Sequence, residues 1–128
     1  MGAWGAGVFD NDDAVDWLAD LAGSKDPNAL DAALSGAAAE SVEAPAASVA
    51  LAAAEVVAAL NNHPAADLPG EIEDWIAGAS PLPSPELTGR AHAAVERVRT
   101  DSELRELWEE TDPTEWFAHV NDLLRRLA

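Results

Sequence analysis

Cysteine and tyrosine are absent from this chain of 128 residues, and lysine and arginine together number seven against twenty-four aspartates and glutamates. Without cysteine there are no disulfides and no thiolate metal ligands, which suits a reducing compartment. With so few cations and a formal charge of −17, nucleic acid is not an expected partner, because phosphate binding needs clustered Lys and Arg. An anionic membrane is disfavoured on the same ground. β-Branched residues are few, and nothing alternates with period two beyond a short stretch at Trp4–Val8, so no sheet is expected. Long apolar runs are missing too. The most apolar stretch, Ala44 to Leu60, contains Pro45, Ser48 and Glu55 and falls short of the ~20 residues that cross a bilayer. The N-terminus has no basic region, so neither a secretory signal nor a membrane span is read. Met1-Gly2 superficially suits myristoylation, but position 6 is Ala6 rather than Ser or Thr. A soluble cytoplasmic protein is the expectation.

A chain of this length is expected to form one helical domain, residues 1–128, and to bury about two-thirds of its unfolded surface without covalent staples. The opening stretch is the least ordinary. Gly5 and Gly7 alternate with small residues beside Trp4 and Phe9, a pattern for an extended arm whose two aromatics plug into the body of the domain. Asp10-Asn11-Asp12-Asp13 then offers N-caps and first-turn carboxylates. Behind it Ala14, Trp17, Leu18 and Leu21 recur at helical spacing as far as Gly23.

Further helices follow by the same reasoning. Asp26-Pro27 reads as N-cap and N1 of a helix with Leu30, Ala33, Leu34, Ala37 and Ala38 on one side, weakened at Gly36. Ala44 or Pro45 opens a helix to Leu60 that is apolar nearly all round, hence buried. Gly70 or Glu71 begins a short helix carrying Ile72, Trp75 and Ile76. Ser84-Pro85 starts another, with Leu87, Ala91, Ala94, Val95 and Val98. Asp101 or Ser102 caps one with Leu104, Leu107 and Trp108. Thr111-Asp112-Pro113 leads into the last, whose stripe is Trp116, Val120, Leu123, Leu124 and Leu127, with Arg125 and Arg126 favoured by the dipole at its end. The fold expected is all-α: a single compact bundle of about six or seven short antiparallel helices around a buried central helix at 45–60, with an extended aromatic N-terminal arm.

The opening Met1-Gly-x-Trp-Gly-x-Gly-x-Phe-Asp-Asn-Asp-Asp-Ala-x-Asp-Trp-Leu18 resembles that of the domain-of-unknown-function family 4259. Leu51-Ala-Ala-Ala-Glu-Val-Val-Ala-Ala-Leu60 and Ser102-Glu-Leu-Arg-Glu-Leu-Trp108 extend the resemblance over nearly the whole chain. It implies a small bacterial protein and supports the helical reading. It brings no activity, substrate or catalytic residue.

Motifs that carry chemistry are wanting. Counted as a calcium loop from Asp10, position 5 is Ala14 and position 12 is Leu21, so that pattern fails. His63, His92 and His119 lie at no helical spacing from one another, and their acid neighbours Glu96, Glu115 and Asp122 make ordinary surface pairs. Neither a metal nor a cofactor is expected. No nucleophile elbow, phosphate loop or dinucleotide fingerprint is present. The five tryptophans read mainly as bulky fillers of an alanine-rich core. Glu55, the one charge inside the apolar helix, is open to three readings: a buried acid partnered by Arg90, His92 or an indole N–H, an exposed acid, or a functional one.

Two functions are carried forward. One is a small acidic non-enzymatic interaction module that presents Asp10, Asp12, Asp13, Asp16 and Asp20 to a basic protein. It resembles toxin-neutralising immunity proteins in size and charge. The alternative is an enzyme or small-ligand protein with an inter-helix pocket around Glu55, Arg90 and His92. The oligomeric state is not legible.

Overall fold

The computed structural model describes residues 7–23, 28–65, 68, 70–78 and 85–128. Among them are seven α-helices and no strand: α1 (Asp12–Ala22), α2 (Ala29–Ser35), α3 (Ala44–Leu60), α4 (Gly70–Ala77), α5 (Pro85–Thr100), α6 (Glu103–Glu109) and α7 (Thr114–Leu127). Trp4, the Asp26-Pro27 start and the connector 80–84 lie outside the described residues. Of the expected aromatic arm, Phe9 is described, and it is buried in the core beside Val8.

The bundle is organised around α3, as its composition demands. Thirteen of its seventeen residues are buried, so no solvent face remains, and it packs against each of the other six helices. Its alanines at positions 50, 52, 53, 54 and 58 are fully buried, and their small side chains let neighbouring backbones approach from every side. Val49, near the N-terminal end of α3, is half-buried.

Caps explain where the helices start and stop. Asn11, in extended backbone, accepts the Ala14 amide at 2.8 Å and fixes the start of α1. In α2 the chain tightens at Gly36 into a 3₁₀ turn, Gly36–Ala38. This turn carries Ala38 to the surface rather than onto the expected apolar stripe, while Leu30, Leu34 and Ala37 stay buried. At the junction of α5 and α6 the Ser102 hydroxyl donates to the Val98 carbonyl at 2.6 Å and accepts from the Arg105 amide at 3.1 Å. That one side chain closes one helix and opens the next. Asp112 accepts the Thr114 amide at 3.0 Å at the start of α7. Its hydrogen bonds with the Thr114 side chain and backbone hold its carboxyl below the usual range.

The end of α3 is a Schellman closure. Asn62 has φ 67°, and the amides of Asn62 and His63 reach back to the carbonyls of Ala59 and Ala58 at 3.0 and 2.8 Å. Asparagine tolerates the left-handed region better than other non-glycine residues. Asn62→Ala is therefore expected to cost about 1 kcal/mol in urea unfolding and Asn62→Gly to cost nothing or to stabilise. Equal effects of the two would show that conformation is not what holds asparagine there.

The described tryptophans all contribute to the core, to different degrees. Trp116 alone is buried among the described ones; Trp17, Trp75 and Trp108 are half-buried and pack on the margin of the core. No helix among the described residues is long and apolar enough to cross a membrane.

Candidate functional site

On α1 the apolar positions Ala14, Leu18 and Leu21 turn inward. The 3.6-residue period then forces the residues between them outward. Asp12, Asp16 and Asp20 fall one turn apart on the outer ridge, Asp13 lies beside them, and all four are exposed. Val15, 40% exposed and the most exposed large apolar residue described, sits on the same face. Asp10 does not share it. Its carboxylate turns back to accept the Gly7 amide at 3.1 Å and closes the loop that leads into α1.

Capping accounts for only part of this acidity. Asp12 and Asp13 occupy the first turn, where the dipole favours anions. Asp20 lies near the C-terminal end of the helix, which has no basic residue in its last turn, and there the same dipole opposes it. Asp12, Asp16 and Asp20 also repel one another at i, i+4 spacing. Among the described residues none of the four makes an ion pair. Each of the six described arginines, by contrast, has a carboxylate of this chain within 3.5 Å.

Glu55 is buried, and its partner is Arg126 rather than Arg90 or His92. Arg126 Nη1 and Nη2 meet the two Glu55 oxygens at 2.6 and 3.2 Å, with side-chain exposures of 14% and 4% for arginine and acid. The same guanidinium donates from Nε to Asp122 at 2.8 Å and from Nη1 to the His63 carbonyl at 3.2 Å. Arg125 also pairs with Asp122. Burial works against charge on both Arg126 and Asp122. The hydrogen bonds and opposite charges outweigh it: Arg126 is pushed up, and Asp122 is held below the ordinary carboxylate range. The network ties α7 to the middle and the end of α3. With every acid oxygen of Glu55 bonded to a guanidinium, it is built for holding helices together more than for proton transfer.

Arg90 lies elsewhere, on α5, where Nη1 meets Asp31 of α2 at 2.7 Å; both partners are substantially exposed. It lines a cleft of about 540 Å³ between α2 and α5 whose lining includes neither Glu55 nor His92. His92 is half-buried, and His63 and His119 are exposed. No group of three His, Asp or Glu among the described residues is placed to hold a metal ion.

Two further contacts escaped the sequence reading. Glu103 accepts the Ala44 amide at 2.8 Å through its carboxylate, and its own amide donates to Val42 at 2.9 Å. This supplies the side-chain cap that Glu43 does not give α3. Arg126 had a sufficient local explanation in the helix dipole, which concealed its long-range role.

The profile of a family described as a domain of unknown function (DUF4259) matches residues 2–119. No curated protein and no solved structure matches the chain.

Proposed function

The chain belongs to the DUF4259 family, whose description names no activity, and we propose from the layout of charge that it is a non-enzymatic interaction module whose α1 outer face receives a basic protein. The observation that carries this reading is the contrast drawn above. Five of the six described arginines hold a carboxylate of the chain itself within 3.2 Å and Arg97 has one at 3.5 Å, whereas α1 concentrates four exposed acids without an ion pair to any described residue. Two of those acids, Asp16 and Asp20, stand where neither cap nor dipole favours them. Like charges kept at a cost to the helix fit a surface selected for a partner of opposite sign, which steers encounter and fixes orientation. The exposed Val15 gives that surface an apolar contact beside the ridge. Cytoplasmic binding to a basic toxin-like protein, in the manner of an immunity protein, is the concrete form of this proposal.

The test separates location from bulk charge. The variant Asp12→Asn, Asp13→Asn, Asp16→Asn and Asp20→Asn changes the net charge from −17 to −13. So does a control that neutralises Glu73, Asp74, Glu86 and Glu110 instead. In pull-downs from the source cell, the wild type and the control are expected to retain a basic protein that moderate salt releases, and the α1 variant to lose it. Equal retention by the two variants defeats the proposal. The stability readout has its own sign. Asp16→Asn with Asp20→Asn is expected to stabilise the isolated protein by roughly 0.5 kcal/mol, by removing repulsion and an unfavourable dipole contact. A thermal unfolding scan showing a loss would mean that these acids are structural.

A further inference from the structure

The cleft between α2 and α5 is the second place where this acidic chain departs from its own average. Its lining holds two arginines, Arg90 and Arg97, against one acid, Asp31. Arg90, Ala93, Ala94 and Arg97 stand at i, i+3, i+4 and i+7, one stripe of α5. The floor between the arginines is apolar, made by Leu34, Ala37, Ala93 and Ala94. The small side chains leave a volume of about 540 Å³, within the usual range of small-molecule sites.

The two ends differ. At one, Arg90 is paired closely with Asp31, at 2.7 Å. At the other, the Arg97 guanidinium is held mainly by neutral acceptors: Nη2 donates to the Glu40 carbonyl at 2.9 Å and Nε to the Asp101 carbonyl at 3.1 Å. Its nearest carboxylate, Asp101, lies 3.5 Å away and is 78% exposed, the longest of the arginine pairs described. Water and salt weaken such a pair greatly. Nη1 of Arg97 bonds to no described residue. A cation fixed in place, incompletely neutralised and set at the mouth of an apolar trough is an anion anchor.

We propose that this cleft binds a medium-chain carboxylate, with its head on Arg97 and its aliphatic tail along Ala94, Ala93 and Leu34. The Arg90–Asp31 pair closes the far end. Two helical turns of α5 separate the two arginines, about 10 Å, which suits a chain of roughly eight carbons. The site is independent of the α1 face and of what α1 binds.

The test is calorimetric titration of the full chain with octanoate, hexanoate, octylammonium and octanol. Octanoate is expected to bind saturably at one site. Hexanoate, two methylenes shorter, should bind about fifteenfold more weakly, since each buried methylene is worth about a fourfold change, and octylammonium and octanol at least tenfold more weakly. Arg97→Gln is expected to weaken octanoate about tenfold. Because Arg97 also ties down the Glu40 carbonyl, a second variant is needed. Ala93→Leu, at an exposed position of α5, fills the trough without touching the core and is expected to abolish binding while helicity by circular dichroism is kept. Absence of saturable octanoate binding, equal binding of octylammonium, or undiminished binding to Ala93→Leu overturns the proposal.

Discussion

Replacing Arg126 with methionine is expected to cost about 3–5 kcal/mol of unfolding free energy, the range for stranding one member of a buried ion pair. The Glu55 side chain is 4% exposed, so it has almost no water to turn to once its two bonds to Arg126 are gone. The double variant Glu55→Met with Arg126→Met is expected to recover most of the loss, because apolar side chains of similar size satisfy the same space without desolvating a charge. Urea unfolding of the wild type, both single variants and the double variant gives the coupling directly. A loss below about 1 kcal/mol for Arg126→Met would mean that the pair is solvated and weak.

Acidity gives the network around Arg126 a second signature. Asp122 titrates below its ordinary value in the folded protein, so its contribution is fully present above the unfolded carboxylate range, about pH 4. It is lost as pH falls through the depressed folded value. The wild type should therefore lose stability on acidification below about pH 4. In Arg126→Met the Glu55 carboxylate, deprived of the guanidinium, is relieved by taking up a proton, since burial disfavours its charged form. Its deficit against the wild type should narrow as pH falls from 7 toward 4. A deficit constant over that interval would show that the lost packing of the arginine stem, and not the charge, is responsible.

Such long-range pairs are what the sequence leaves unread. Apolar period and caps are local signals, and they locate α1, α3 and α5 to within a residue or so, because Asn11, Pro45 and Pro85 act on their own turns. The Glu55–Arg126 bond spans 71 residues and the Ala44–Glu103 cap 59. Nothing in a helical stripe says which helix it will face. α3 is the extreme case, because an element that is apolar all round has no privileged side from which to infer a neighbour. The sequence left Glu55 open between a buried, an exposed and a functional acid, and of the cations that could meet it if buried it singled out Arg90, although Arg126 was an equally good chemical answer. Arg90 went to Asp31, also 59 residues away. On α1 the acids themselves were legible. That Asp10 is used up in the entry loop, and that Asp16 and Asp20 stand outside any capping role, needed coordinates.

The encirclement of α3 leads to an expected result that an ordinary amphipathic helix would not give. Leucine nearly matches alanine in helix propensity, so Ala→Leu reports on space. Positions 50, 52, 53 and 58 point to different sides of the helix axis, and all four alanines are fully buried. Each of Ala50→Leu, Ala52→Leu, Ala53→Leu and Ala58→Leu is therefore expected to destabilise by about 1–3 kcal/mol through overpacking. Ala118→Leu, at an exposed position of α7, should stay within about 0.5 kcal/mol of the wild type. In a helix with one wet face, at least one of the four would be nearly neutral. A single tolerated leucine among them, with an unchanged dependence on urea, would mean that the side in question has slack. The close approach of six helices to an alanine-lined rod would then not be what holds this bundle together.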